Sequence, residues 1–262
     1  MDLGLKGRRA LVLASSDGIG RGIAAELAGE GASVMICGRD EEKLRAASEQ
    51  ISRSAATKLL WVQVDLGTAD GLDRLLQRVV DTWGAVDILI NNTGGPPAKG
   101  LCDVSRDEWS LYFEAMLTPV FRLTAELVPA MMKMGWGRVI SVASSGVIEP
   151  ISGLGLSNAL RSALVGWNKT LSNEVSGSGV TANLLVPGRI NTKRVYELDT
   201  LAARRAGVAI DEVARQSESR IPVGRYGRVE EFAAVATFLA SERASYITGS
   251  VIRVDGGMIR SV

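Results

Sequence analysis

Short runs rich in β-branched and other apolar residues alternate along the chain with stretches in which apolar positions recur every three or four residues. ALVLA, SVMIC, LLWVQV, VDILI, RVISVA, VTANLLV and VIRV have the length and composition of buried strands. Between them, a segment opening at Gly18, then Glu41–Ile51 and Ala69–Asp81, carry helical periodicity. Seven strands with helical crossovers predict an α/β fold, a Rossmann-like doubly wound parallel sheet with helices on both faces. No repeat, low-complexity tract or composition break marks a linker, so residues 1–262 read as a single domain. Arg189–Arg228 breaks the short-loop rhythm: it is polar, holds its own helical stretch, and is expected to act as a lid over a substrate site.

The segment from Gly137 to Asn173 is where the pattern places chemistry. An apolar strand (Arg138–Ala143) enters a Ser/Gly-rich turn and then a long helix. Leu156, Leu160, Leu164, Val165, Trp167 and Leu171 mark that helix's apolar surface, so Ser144, Ser157 and Arg161 fall near its start, at the top of a strand.

Composition narrows the function classes. Apolar residues make up 46% and charged residues 23% of the 262, enough for one generous core. No apolar run approaches the roughly 20 residues that span a bilayer, and MDLGLKGRR lacks the apolar core of a signal peptide, so a cytoplasmic protein is expected. Histidine is absent, which removes the usual zinc ligand, hydrolase base and neutral-pH proton shuttle together; no metal site is expected. Cys37 and Cys102 have neither disulfide-framework nor metal-ligand spacing. A net charge of +1 without a basic run argues against nucleic acid or an anionic membrane as partner.

After the first strand, LASSDGIGRG forms a glycine-rich turn opening a helix, and Arg39 and Asp40 close the next strand. Backbone amides and the helix N-terminus in such a turn can approach a dinucleotide pyrophosphate. SSDGIG at Ser15–Gly20, the Asp65–Leu66 pair, NNTGG at Asn91–Gly95, Ser144 at a strand end, PGRINT at Pro187–Thr192 and SYITGSVIRVDGG near the C-terminus recur together over essentially the whole length. In these the chain resembles the short-chain dehydrogenase/reductases, most closely the β-ketoacyl-carrier-protein reductase branch.

The resemblance implies a cofactor site. Gly18 and Gly20, with Ser16, Asp17 and Ile19 completing the turn, would cradle the pyrophosphate. Asp65 and Leu66 would meet the adenine, and Asn91 and Gly94 the adenosine side. Pro187, Gly188, Ile190 and Thr192 would meet the nicotinamide carboxamide and phosphate, and Arg161 the nicotinamide ribose. Ala14 stands where the family has its first glycine, a change that costs little unless φ there is positive or the pyrophosphate passes close. Gly38 replaces the acidic residue usual in NAD-linked members and Arg39 follows, which favours NADP(H) over NAD(H). Against this stand Asp17, an anion able to offset or orient Arg39, and the reading of Arg39 as a solvated surface arginine.

The family's Asn–Ser–Tyr–Lys tetrad is altered. Its YxxxK motif aligns with Ser157–Arg161, and its asparagine with Met116; Ser144 is retained. A serine hydroxyl is a far weaker acid than a phenol (pKa about 10). Arginine stays charged and relays no proton, and methionine supplies no dipole to order water. Stand-ins are Tyr112, one turn before Met116, and Lys99, Glu149 and Tyr196, each with a structural alternative as core tyrosine or solvated charge.

Two functions compete. One is NADPH-linked reduction of a carbonyl or activated double bond in a small molecule, acyl thioesters among the candidates, with Arg204, Arg205, Arg215 and Arg220 of the lid suiting an anionic handle. The other is a catalytically silent nucleotide-binding homologue, a sensor or assembly subunit. Helices starting near Ser105 and Leu154 carry apolar residues on more than one face, and the resemblance implies a homotetramer or homodimer.

Overall fold

The computed structural model describes residues 1–55 and 57–261. Its strands are β1 (Arg9–Val12), β2 (Ser33–Gly38), β3 (Leu60–Gln63), β4 (Ile88–Asn91), β5 (Gly137–Val142), β6 (Val180–Pro187) and β7 (Val251–Val254). They form one sheet in the order β3-β2-β1-β4-β5-β6-β7, with every neighbouring pair parallel. The helices are α1 (Gly18–Gly29), α2 (Glu41–Ala55), α3 (Ala69–Trp83), α4 (Arg106–Met116), α5 (Thr118–Met134), α6 (Gly155–Val175), α7 (Lys193–Ala206), α8 (Ile210–Glu218) and α9 (Val229–Leu239). The expected Rossmann-like architecture is the one observed.

Strand alternation divides the core into two layers. Ala10, Val12, Ile36, Ile88 and Ile90 face one way and join Ile23, Leu27, Leu44 and Phe232 of α1, α2 and α9. Leu11, Leu13, Met35 and Leu89 face the other way and join Leu72, Leu75, Leu123 and Leu127 of α3 and α5. A Cβ at Gly22 would lie 2.2 Å from Val229 Cγ1, so only glycine lets α9 approach α1 this closely.

Strand order reverses between β1 and β4, which are adjacent in the sheet. A crevice opens at such a point beyond the strands' C-terminal ends. The glycine turn leaves β1 there, and the loop holding NNTGG leaves β4 there. The segment predicted as a lid contains α7 and α8. Thr192 caps α7 by accepting from Val195 N–H, and Gly207 ends it in the left-handed conformation (φ 68°). Among the described residues no helix is long and apolar enough to cross a membrane.

Candidate active site

The C-terminal ends of β1, β4, β5 and β6 and helix α7 enclose a cleft of about 1070 Å³. Ala14, Asp17, Gly18 and Ile19 line it from the first turn; Thr93 and Gly94 from the β4 loop; Ser144, Ser157 and Arg161 from β5 and α6; Pro187, Gly188, Ile190 and Thr192 from the β6 loop. Segments far apart in sequence, singled out for one cofactor and one reaction, thus share one cavity.

The first turn carries strain where the sequence departs from glycine. Ala14 has φ 45°, and among the described residues no other non-glycine residue has a positive φ. Left-handed backbone in such a residue costs about 1–3 kcal/mol, and nearby hydrogen bonds hold it. Asn92 Nδ2 donates to Leu13 O (3.3 Å) and Ala14 O (3.1 Å), while Ser15 N–H donates to Cys37 O (2.9 Å). Ala14→Gly is therefore expected to stabilise the fold by about 1 kcal/mol, net of the greater freedom of glycine in the unfolded chain. That is a rise of roughly 2–4 °C in Tm by scanning calorimetry; a lower Tm would show that the turn is unstrained.

Gly18, at φ 56°, opens α1, with Asp17 accepting from its N–H at 2.7 Å. Gly20, expected beside the pyrophosphate, packs closely on the first turn: a Cβ there would lie 2.7 Å from Ala14 O and 2.8 Å from Asn92 Nδ2. Its lack of a side chain serves the contact between helix and turn. Asn91 also turns inward, its Nδ2 donating to Thr124 Oγ1 (3.1 Å) and Ser141 Oγ (3.3 Å). The following residue, Asn92, lines the cleft. The motif NNTGG was the visible signal, and the strand's period of two decides which asparagine turns inward.

Ser16, Arg39, Asp65 and Leu66 do not line the cleft. Arg39 and Asp65 are exposed at the C-terminal ends of β2 and β3, on the same edge of the sheet. Ser16 stands over Gly38, where a Cβ would lie 3.3 Å from its Oγ. Asp17 is occupied as the α1 cap, and among the described residues Arg39 makes no ion pair.

At the end of β5, Ser144 Oγ accepts from Gly146 N–H at 3.2 Å, leaving its own proton to donate. Ser157, 7% exposed, sits at the start of α6. Arg161 is also buried; it donates to Val142 O (2.8 Å), Thr93 O (3.0 Å) and Gly94 O (3.0 Å), bracing the ends of β4 and β5. Burial first, and then the neighbouring Arg194 charge, push its pKa down to about 10, so it remains a cation at neutral pH.

Met116 and Tyr112 do not reach this cleft. Met116, 2% exposed, lies in an apolar cluster with Leu117, Val120, Leu156 and Leu160, and Tyr112 packs against that cluster. Lys99 is spent on Glu108, with Nζ at 2.9 and 2.8 Å from its two oxygens. Lys99, with the capping contacts of Ser105, draws the Glu108 carboxyl down to about 2. Tyr196 is exposed and outside the cleft, whereas Glu149 lines it. Burial pushes the Cys37 thiol up to about 12, which leaves it protonated and unreactive.

The enoyl-(acyl carrier protein) reductase family matches the chain across residues 13–259. The 3-oxoacyl-(acyl-carrier-protein) reductase FabG of Aquifex aeolicus is 33% identical over 260 residues, covering 98% of this chain and 100% of that one. Among solved structures, L-sorbose reductase from Gluconobacter frateurii, complexed with NADPH and L-sorbose, superposes with a TM-score of 0.94 at 31% identity, covering 100% of each chain. YwfH, an NADPH-dependent reductase involved in bacilysin biosynthesis, does so with a TM-score of 0.93 at 28% identity, covering 98% of this chain and 100% of that one.

Proposed function

Because the chain belongs to the short-chain dehydrogenase/reductase family, we propose that it is an oxidoreductase linked to NADP(H), reducing a carbonyl or activated double bond of a small molecule. The observation that carries this reading is one cleft lined by the glycine turn, the Pro187–Thr192 loop and the Ser144, Ser157 and Arg161 group. The left-handed turn and the N-terminus of α1 fit a pyrophosphate, and relatives of similar length are reductases, two of them NADPH-linked by name. NADPH, when bound, supplies the hydride. Ser144 and Ser157 would donate hydrogen bonds to the substrate oxygen, and the fixed charge of Arg161 stabilises negative charge developing there. Without a phenol, the proton comes from water in the open cleft.

Arg39 supports NADPH over NADH, since among the described residues it makes no ion pair at the end of β2, the adjacent Asp40 is engaged by Lys43, and Gly38 carries no acidic group. Arg39→Glu is expected to weaken NADPH binding at least about tenfold and to leave NADH within a few-fold, read by calorimetry with both cofactors. Equal affinities in the wild type would assign Arg39 to solvent.

A second reading, a nucleotide binder without turnover, is favoured by the fate of Arg161. Its guanidinium is engaged by three carbonyls, whereas the lysine it replaces would hold the nicotinamide ribose. NADPH binding without oxidation across a panel of ketones and enones would select it.

We also propose a homotetramer. Phe113 is 42% exposed, and it stands against Phe121, which stands against Trp167, at centroid separations of 6.4 and 5.2 Å on α4, α5 and α6. An exposed aromatic cluster of this kind suits a two-fold contact. Light scattering at micromolar concentration should give four copies, and a monomer would overturn the proposal.

A further inference from the structure

The lid side of the cleft carries uncompensated positive charge. Arg161, Arg194 and Arg205 line it, and among the described residues none forms an ion pair with a carboxylate. Backbone carbonyls of one loop hold all three. Arg161 Nη2 donates to Thr93 O and Gly94 O at 3.0 Å each, Arg194 Nη2 to Pro96 O at 2.6 Å, and Arg205 Nη2 to Ala98 O at 3.3 Å. The guanidiniums thus form a row that begins buried at Arg161, is half-buried at Arg194 and ends exposed at Arg205.

A carbonyl satisfies a donor without neutralising its charge. Arg161 and Arg194 are close enough for the one to disfavour the charge of the other, so an anion placed beside them relieves both burial and repulsion. Each guanidinium carries five N–H donors, and those named leave Arg194 and Arg205 most of theirs. Arg194 is the nearer of the two to the buried group, since its charge is felt at Arg161, whereas Arg205 stands eleven residues further along α7, about 16 Å along the helix axis. Between the two arginines, Leu198, Leu201 and Ala202 line the cleft from the same face of α7. The lid therefore presents an apolar strip with a cation at each end.

Resting on the reductase reading above, we propose that the substrate is a carbonyl compound bearing a carboxylate. Arg194 holds the carboxylate, any apolar body lies along Leu198 and Leu201, and the reacting carbonyl is directed towards Ser144 and Ser157. Planar bidentate pairing between guanidinium and carboxylate fixes the orientation as well as the affinity.

The probes are acetoacetate and methyl acetoacetate, which present the same ketone with and without the charge. Calorimetry is run on the protein alone and on the protein saturated with NADPH. Acetoacetate is expected to bind at least about tenfold more tightly than the ester, and Arg194→Gln should remove about tenfold of that affinity while leaving the ester unchanged, whereas Arg205→Gln, at the far end of the strip, should leave the acid-to-ester ratio as it is. Arg194→Lys keeps the charge and a donor for Pro96 O, so it should retain most of the preference and tests the site even if Arg194→Gln does not fold. Equal affinity for acid and ester overturns the proposal. So does an unchanged acid-to-ester ratio in an Arg194→Gln variant that instead loses NADPH affinity, which would assign the row to the cofactor's phosphates. If NADPH fails to bind while acetoacetate still binds better than its ester, the carboxylate site stands and the reductase reading falls.

Discussion

Replacing Ser157 by tyrosine and Arg161 by lysine together is expected to raise NADPH-dependent reduction of a simple ketone by at least about a hundredfold. General acid catalysis contributes typically 10²–10⁴-fold, and under the proposed function a serine stands where the resemblance places that donor. Ser157 lines the cleft at the start of α6, so a tyrosine there points a phenol into open volume. Lysine at 161 has three donors on one nitrogen, enough to keep part of the bracing that Arg161 gives Val142, Thr93 and Gly94. Restoring the asparagine at 116 as well would be a mistake. Met116 is 2% exposed among Leu117, Val120 and Leu156, so an amide there would be buried without a partner at a cost of about 1–3 kcal/mol. The rate is read with methyl acetoacetate, alongside the melting temperature of each variant. A folded double variant no faster than the wild type would show that proton supply does not limit turnover. A wild type already at rates typical of enzymes, lost in Ser144→Ala alone, would show that the serine and water suffice.

The limits of the sequence reading can be traced to particular residues. All seven strands were legible because parallel strands are buried on both faces and read as continuous apolar runs, as in ALVLA and VTANLLV. The helices starting at Gly18, Glu41 and Ala69 were legible from their periodicity, the second and third ending four and two residues beyond the ranges expected. Hydrogen-bond direction was not legible. Asn91 and Asn92 are identical in type, and only the sheet shows that Asn91 bonds Thr124 and Ser141 while Asn92 holds the first turn. Helical spacing places Tyr112 and Met116 on one face but says nothing of what covers it, and here it is the apolar surface of α6. Arg194 carries no signal in the sequence, because PGRINTKR reads as a family motif followed by two ordinary surface charges. Its importance comes from the Pro96 carbonyl, ninety-eight residues away in sequence. The strain at Ala14 was conditional on its φ, a quantity that only the folded turn supplies.

Asp199→Ala is expected to loosen the 189–228 segment, taken as a lid under the proposed function, without unfolding the sheet. Asp199 is 3% exposed on α7, and it accepts from the Arg189 guanidinium and from the Tyr226 hydroxyl at 2.8 Å. Those partners stand near the two ends of the 189–228 segment, so one carboxylate ties its entry, its first helix and its exit together. Removing it leaves a cation and a hydroxyl without their partner, while the α7 backbone has no reason to change. Breaking a buried pair from one side costs about 3–5 kcal/mol; Arg189 is partly solvated, with 31% of its side chain exposed, so about 2 kcal/mol is the reasonable figure. The loss falls on the lid because its helices contribute little to the two main core layers, which are built from the sheet with α1, α2 and α9 on one side and α3 and α5 on the other. Each 1.4 kcal/mol is tenfold in an opening equilibrium, so limited proteolysis around Gly207 or Gly224 should quicken by at least about tenfold when opening is fast relative to cleavage. Asp199→Asn, which keeps an acceptor for Tyr226, should fall between the two. Proteolysis unchanged in Asp199→Ala, or cleavage that appears first in the sheet, would show that the lid is held by its apolar contacts and that the Asp199 ties contribute nothing to its closure.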